Sequence, residues 1–225
     1  MSLSKTNTSF FQTLSVLPEG VYYYTMEKKV ILFNPGHGWN TPGKCSPDKS
    51  LMEWEYNREI CRRLRDIFKE YGWDARLVVF EDYDISLNER ARRINNICGA
   101  YGSKNVIVID VHVNAAGNGQ WMNGNGWECW TTVGQTNSDK LAEELYKSAK
   151  SYLPTTKMRT DTIDGDLDKE RNYTIIYKAN CVAVLTENLF MDNKEECEFL
   201  LSEKGKEAIV NLHVDGILKY MEKYW

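Results

Sequence analysis

The chain has 225 residues, 42% of them apolar, which suits one α/β domain with a substantial core, or such a domain with an extension. Its formal net charge of -4 supplies no basic field for a nucleic acid or an anionic membrane surface. No apolar run approaches the ~18 residues that span a bilayer.

Residues 1–25 are polar and then mixed, with Pro18-Glu19-Gly20 as a turn signal, and are expected to form an N-terminal extension. They do not join a basic segment to a long apolar core, so no secretory signal is legible in them. Residues 26–225 show neither repeat nor low-complexity linker and read as one unit. The six cysteines (Cys45, Cys61, Cys98, Cys129, Cys181 and Cys197) are scattered without a CxxC pair. That is the pattern of free thiols, not of a disulfide framework or a cysteine-held zinc.

In chain order, the first strand is KVILF, 29–33, followed at once by NPGHGWN. A helix is expected over Leu51 to Tyr71. RLVVF, 76–80, is the second strand. A helix then opens at Ser86, with Glu89 three residues on in a capping-box pattern. NVIVIDVHV, 105–113, is the third strand, and GWECWTT, 126–132, is a weaker one. SDKLAEELYKSAKSYL, 138–153, carries Leu141, Leu145, Ala149 and Tyr152 on one helical stripe. YTIIY, 173–177, is another weak strand, CVAVLTE, 181–187, a strong one, and Glu203 to Tyr224 the last helix. The strong strands are apolar on consecutive positions, as strands covered on both faces are. Strands alternating with helices predict a three-layer α/β domain, whose sites sit at the carboxyl ends of the strands.

Three polar residues follow or end those strands: His37, His112 and Glu187. A lone histidine at a strand end is more often structural, and Glu187 alone would pass for a surface residue. The joint pattern says more, because the chain has only three histidines and two of them sit here. A fourth candidate comes from the first helix. Glu53 shares a stripe with Asn57, Ile60, Leu64 and Ile67, whereas Glu55 shares one with Glu59, Arg62 and Asp66. Helical phase therefore turns Glu53 inward and Glu55 outward. An inward carboxylate must be paired or bound to a cation. Two histidines and one carboxylate make a His2Glu set that leaves a fourth zinc position open for water. His213 lies in line with Ile209, Gly216, Ile217 and Tyr220 and reads as a packed helix histidine.

The stretches NPGHGWNTPG, EWEYNREICRRL, VHVNA and LTENLFMDNKEE together resemble the zinc-dependent N-acetylmuramoyl-L-alanine amidases of type 3, found among cell-wall hydrolases, sporulation enzymes and phage endolysins. The resemblance runs from Val30 to the C-terminus with the motifs in the family's order. It implies a mixed, mainly parallel sheet of about six strands flanked by helices, one Zn2+ on His37, Glu53 and His112, and Glu187 as the catalytic carboxylate. The substrate it implies is peptidoglycan, cut between N-acetylmuramic acid and the L-alanine of the stem peptide. Asn114, Trp39 and Trp121 are the expected substrate contacts. The chain departs from the family pattern at Asn34 (usually Asp), Trp39 (usually Gly), Asp110 (usually Ser) and Leu189 (usually Gly). None of these removes a ligand. AAGNGQWMNGNGWECW reads as an enlarged loop whose Trp121, Trp127 and Trp130 form a flexible aromatic wall or belong partly to the core.

Two alternatives stand beside this reading. A zinc carboxypeptidase-like enzyme would use the same donors plus an arginine clamp, for which Arg159 and Arg171 are the nearest candidates. A non-catalytic peptidoglycan-binding module on the same scaffold would be expected to lack the late glutamate or a ligand, and here all four positions are filled. The expected partner is peptidoglycan alone, without nucleic acid or membrane, and the expected state is a monomer. Action is expected at the cell wall, by an enzyme held in the cytoplasm until lysis or by one exported with a signal not seen here.

Overall fold

In the computed structural model, residues 12–16, 22–26, 28–117, 119–163 and 165–225 are described. Most of the expected N-terminal extension falls outside them. Its described part is two strands, β1 (Gln12–Val16) and β2 (Tyr22–Met26), paired antiparallel.

The remaining elements follow in the order β3 (Val30–Pro35), α1 (Glu53–Glu70), β4 (Asp74–Leu77), α2 (Leu87–Tyr101), β5 (Val106–Asn114), β6 (Trp127–Thr131), α3 (Asn137–Tyr152), β7 (Lys169–Glu170), α4 (Thr174–Lys178), β8 (Val182–Phe190), α5 (Lys194–Leu201) and α6 (Glu203–Tyr224). The six strands from β3 to β8 form one sheet in the order β4-β3-β5-β8-β6-β7. β4, β3, β5 and β8 run parallel, β6 runs antiparallel to β8, and β7 lies parallel to β6. This is the expected three-layer α/β domain with a mixed six-stranded sheet.

The consecutive apolar runs are explained by burial on both faces. One face carries Ile31, Phe33, Ile107, Ile109 and Val184 against α1, α3, α5 and α6. The other carries Val30, Leu32, Val106, Val108 and Leu185 against α2 and α4. α1 buries Ile60 and Leu64 and α3 buries Leu141, Leu145 and Ala149 of the stripes read for them, whereas Tyr152, at the end of the α3 stripe, is exposed. Ser86 caps α2 by accepting from the Glu89 amide at 3.3 Å, and α3 begins with a capping box between Thr136 and Asp139.

Two strand expectations need correcting. Of residues 173–177, Tyr173 is the extended N-cap and 174–177 are helical, within α4. Their β-branched residues suggested a strand, but both isoleucines dock on the α2 face of the sheet, and Asn95 of α2 clamps the turn by bonding the Lys178 carbonyl at 2.7 Å and the Asn180 amide at 2.8 Å. Tertiary packing has overridden local propensity. The second strand lies at Asp74–Leu77, not 76–80. Beyond Val78 the backbone carbonyls are taken by arginines. Arg93 bonds the Val78 carbonyl at 3.1 Å, and Arg58 bonds the Glu81 carbonyl at 2.8 and 3.0 Å, so the chain leaves the sheet. The short edge strand β7 and helix α5 had no period long enough to be read. The six cysteines are free, as expected.

Candidate metal centre and active site

The sheet register assembles the site. His112 of β5 is paired with Glu187 of β8, and Glu187 is paired with Glu128 of β6. Residues in register on neighbouring strands share a face, so three ionisable side chains stand in a row on the α2 face, at the rim where β5 and β8 end. Between His112 and Asn114 the ladder slips, because Asn114 pairs with Phe190. Leu189 takes up the extra residue with φ +66°. A bulge of this kind re-aims side chains beside a functional rim.

His37 follows β3 and itself adopts φ +61°, an uncommon state for a residue with a side chain. The glycines flanking it permit close packing. A Cβ on Gly36 would lie 2.3–2.7 Å from the His112 ring, and one on Gly38 would lie 2.0–2.5 Å from the backbone of Tyr83 and Asp84. The loop is held by two buried arginines that the sequence reading missed. The His37 carbonyl accepts from Arg58 of α1 at 3.0 Å and from Arg90 of α2 at 2.9 Å. Both look like wet-face charges in sequence, yet 3% and 1% of their surface is exposed. Nothing local distinguishes them from the other arginines of those helices.

Glu53, at the first position of α1, is 1% exposed, whereas Glu55 faces solvent, as the helical phase required. Its Oε1 accepts from the Val113 amide at 3.2 Å and lies 3.2 Å from His112 Nδ1. Its Oε2 lies 3.4 Å from His37 Nε2 and 3.9 Å from Lys44 Nζ. The two imidazoles meet edge to face with centroids 5.0 Å apart. Among the described residues, His37, Glu53 and His112 form a group of potential metal ligands whose donor atoms all lie within 4.8 Å of one another.

The electrostatics favour a cation there. Burial pushes the His37 imidazole down to about 4, so it is neutral and offers a lone pair. Burial alone would raise Glu53, but its bond to His112 and the nearby positive charges hold the carboxyl at about 2. His112 is raised despite its burial, because Asp110 and Glu53 flank its two ring nitrogens. Glu53 Oε2 is buried without a hydrogen-bond partner, in a pocket where the neighbouring imidazole is neutral. An orphaned carboxylate oxygen beside two imidazole nitrogens fits a divalent zinc-like ion, by donor set as well as by the need for compensation.

Asp110, two residues before His112, approaches His112 Nε2 at 3.4 Å. It accepts from Asn34 Nδ2 at 2.6 Å, and Asn34 accepts from Arg90 at 3.1 Å. A carboxylate behind a ligand imidazole fixes its tautomer and orientation. Asn34 and Asp110 are register partners on β3 and β5, so the pairing follows from the sheet.

Glu187 reaches the same pocket with an Oε2 that is buried and unpartnered. Burial, with Glu53 and Glu128 nearby, raises its carboxyl to about 8. Glu128 is tied down by Asn114 at 2.8 Å, Trp130 at 3.1 Å, Arg159 at 2.6 Å and Lys169 at 3.1 Å. Arg159 is thereby spent on Glu128, and Arg171 lies over the Tyr173 ring, so neither is an idle clamp. Asn114 touches Glu128 and is an organiser of the rim.

Trp39 and Trp121 are exposed, at 62% and 39%. Trp127 is core and bonds Asn188 at 2.9 Å, and Trp130 is half-buried against Tyr173. The glycine-rich loop before β6 is anchored at both ends. Asp192 accepts the Ala116 and Gly117 amides, Asn193 bonds the Gly124 carbonyl and Glu196 accepts the Gly126 amide. His213 is fully buried between the Thr186 hydroxyl at 3.0 Å and the Ile209 carbonyl at 2.7 Å, a packed residue as expected.

A family model described as N-acetylmuramoyl-L-alanine amidase matches residues 31–219. The chain is 24% identical over 201 residues to an endolysin of Bacillus phage SPP1, covering 86% of this chain and 66% of the endolysin. It is 25% identical over 196 residues to the N-acetylmuramoyl-L-alanine amidase CwlM of Bacillus licheniformis, covering 84% of this chain and 67% of the relative. Among solved structures it is similar to an N-acetylmuramoyl-L-alanine amidase from Clostridium difficile 630, with a TM-score of 0.74, 26% identity, and coverage of 88% of this chain and 100% of that one.

Proposed function

The chain belongs to the N-acetylmuramoyl-L-alanine amidase family, and we propose that it hydrolyses peptidoglycan at the amide between the lactyl group of N-acetylmuramic acid and the L-alanine of the stem peptide. The observation that carries this reading is the convergence of His37, Glu53 and His112 beside Glu187, which is in register with His112 and has a buried, unpartnered Oε2.

His37, Glu53 and His112 would hold one zinc ion, which when bound polarises a carbonyl and acidifies water. Glu187 is the proton carrier. Its free Oε2 takes a proton from the attacking water and returns it to the departing L-alanine amine. Burial, with Glu53 and Glu128 nearby, raises its proton affinity, which suits the second of these transfers. Glu128 cannot compete for that task, because Asn114, Trp130, Arg159 and Lys169 occupy its oxygens. Asp110 holds the His112 ring from behind. Trp39 and Trp121 offer apolar faces on which a sugar ring or the stem peptide can lie. Residues 26–225 form the catalytic unit in this reading, with residues 1–25 as an extension to it.

The test is digestion of purified peptidoglycan, scoring newly freed L-alanine amino groups. A chelator should abolish release and added zinc should restore it. Glu187→Ala should retain the metal while kcat falls by ~10²–10⁴, whereas His112→Ala should lose both. Full turnover in Glu187→Ala would overturn the mechanism. Cleavage of free peptides with intact peptidoglycan untouched would favour the carboxypeptidase-like alternative.

A further inference from the structure

Four cations around the rim of the metal centre are engaged. Arg58 and Arg90 donate to the His37 carbonyl at 3.0 and 2.9 Å. Arg159 and Lys169 meet Glu128 at 2.6 and 3.1 Å. Lys44 differs from them. Among the described residues its ammonium has one ion pair, 3.9 Å from Glu53 Oε2, and no hydrogen bond. Its side chain is 40% exposed, so the charge is open to solvent beside a carboxylate that is not.

The backbone under Lys44 is fixed. Its carbonyl accepts from the Glu53 amide at 3.0 Å, which sets Lys44 next to the first residue of α1. Cys45 and Met52 form an antiparallel bridge. Buried Ser46 closes the turn, its hydroxyl accepting from the Leu51 amide at 3.0 Å and its own amide donating to the Leu51 carbonyl at 2.9 Å. Beside the larger effects of burial, the Lys44 charge opposes protonation of His37, Glu53 and Glu187, which places it within electrostatic reach of all three.

Glu53 cannot satisfy Lys44 and a metal ion at once. Its Oε2 is the orphaned oxygen that a bound zinc ion needs. With the centre filled, Lys44 is a cation beside a cation, and an anionic group on the substrate relieves it. On the amidase reading, which this step rests on, chemistry identifies that group. The lactyl carboxyl of the muramic acid is part of the scissile amide, so the sugar carries no anion at the cut. The second stem residue follows the L-alanine directly. Where it is D-isoglutamate its α-carboxyl is free, and one Cα–Cα step of ~3.8 Å plus one bond puts that carboxyl roughly 5 Å from the L-alanine Cα.

We propose that Lys44 is a specificity-determining residue that binds the free α-carboxylate of the second stem residue, so that stems carrying D-isoglutamate are preferred over stems in which that carboxyl is amidated. A carboxamide keeps the shape of the group but offers an ammonium no opposite charge.

The test uses two muramoyl tripeptides, N-acetylmuramoyl-L-Ala-D-isoGlu-L-Lys and its D-isoGln counterpart, which differ only at that carboxyl. The zinc-loaded chain should cleave the first with a kcat/KM ~5–30-fold higher, carried mainly by KM, as a half-exposed charge-assisted bond implies. Calorimetry on the zinc-loaded Glu187→Ala chain should give a similar ratio in Kd without turnover. The preference should shrink as salt rises. Lys44→Met should bring both ratios close to one with zinc content kept, and Lys44→Arg should restore them in part. A Lys44 that merely neutralised Glu53 would act on both stems alike, so a Lys44→Met chain slowed equally on both, with the ratio kept, would overturn the proposal. Equal binding and cleavage of the two stems by the wild-type chain would also overturn it while leaving the amidase reading intact. Cleavage of neither stem nor of intact peptidoglycan would overturn the amidase reading instead, with the calorimetric ratio still deciding for or against Lys44.

Discussion

Gly36→Ala tests how the metal centre is packed. The Gly36 φ is not in the left-handed region, so an alanine is tolerable to the backbone itself. The obstacle is the His112 ring, whose Cε1 would lie 2.3 Å from the new Cβ, about 1 Å short of the 3.4 Å where ordinary contact begins. The ring has no free direction of retreat. Glu53 and Asp110 hold its two nitrogens at 3.2 and 3.4 Å, and the His37 ring meets it edge-on at 5.0 Å. The overpacking should cost ~1–3 kcal/mol, offset by ~0.4–1 kcal/mol from the stiffer unfolded chain. The net loss in the zinc-free protein is therefore about 1–2 kcal/mol, measurable by urea unfolding. The larger effect falls on the site, where a ligand displaced by about 1 Å should weaken zinc binding by at least ~10–100-fold. A chromophoric chelator in competition reads that directly. Repeating the substitution in a His112→Ala background isolates the contact, because the stability cost should vanish there. An undiminished cost in that background, or wild-type zinc affinity in Gly36→Ala, would refute the reasoning.

Asp110→Asn should weaken zinc binding by ~10–100-fold while turnover at saturating zinc stays near wild type, since Asp110 acts through His112; unchanged affinity would show that the carboxylate positions nothing. His213 is buried and its imidazole is lowered to about 4, so the unfolded chain takes up a proton near 6.5 that the folded chain refuses until about 4. Its contribution to stability is therefore intact above pH 6.5 and is lost as pH falls toward 4, by up to ~1.4 kcal/mol per pH unit. His213→Gln should flatten the stability–pH slope in that window, checked by urea titrations at pH 7, 6, 5 and 4.5. Gly99 sits exposed near the end of α2, and a methyl group added there would meet nothing within 4 Å, so Gly99→Ala should raise stability by ~0.5–1 kcal/mol in the same assay.

The parts of the site that were legible in the sequence are those where a local rule decides orientation. Glu53 and Glu55 are two residues apart and equally acidic, and helical phase alone separated the buried one from the wet one. His112 and Glu187 were readable because each ends an apolar run. The illegible parts are those fixed by tertiary contact. Arg58 and Arg90 are buried because the carbonyls of the loop after β3 need donors, a demand created only once α1 and α2 pack beside it. The helix at 174–178 and the early end of β4 belong to the same class, since side chains from α1 and α2 claim the backbone groups that a longer strand would have used. Glu128 sits in a strand that was expected, but its part in the site follows from antiparallel register with Glu187, which no local pattern encodes.

Register also accounts for the departures from the family pattern. Taken singly, Asn34 loses a carboxylate next to the first histidine and Asp110 gains one next to the second. Because these residues are partners across β3 and β5, joined at 2.6 Å, the two departures leave one carboxylate in one place, shifted from one strand to its neighbour. The shift has a consequence for the ligand. On β5 the carboxylate lies on the same face as His112 and two residues before it, close enough to reach Nε2, while Asn34 uses its oxygen to accept from Arg90 and its amide to donate to Asp110. An aspartate at both positions would set two buried carboxylates against each other, and an asparagine at both would leave His112 Nε2 without an anionic partner. The prediction that follows is reciprocal. Asn34→Asp alone should destabilise the fold by like-charge repulsion at a buried pair, and combining it with Asp110→Asn should recover part of that loss while zinc affinity stays reduced, because the carboxylate then faces Arg90 and not the imidazole. Recovery of zinc affinity along with stability in the double variant would show that either strand can supply the carboxylate.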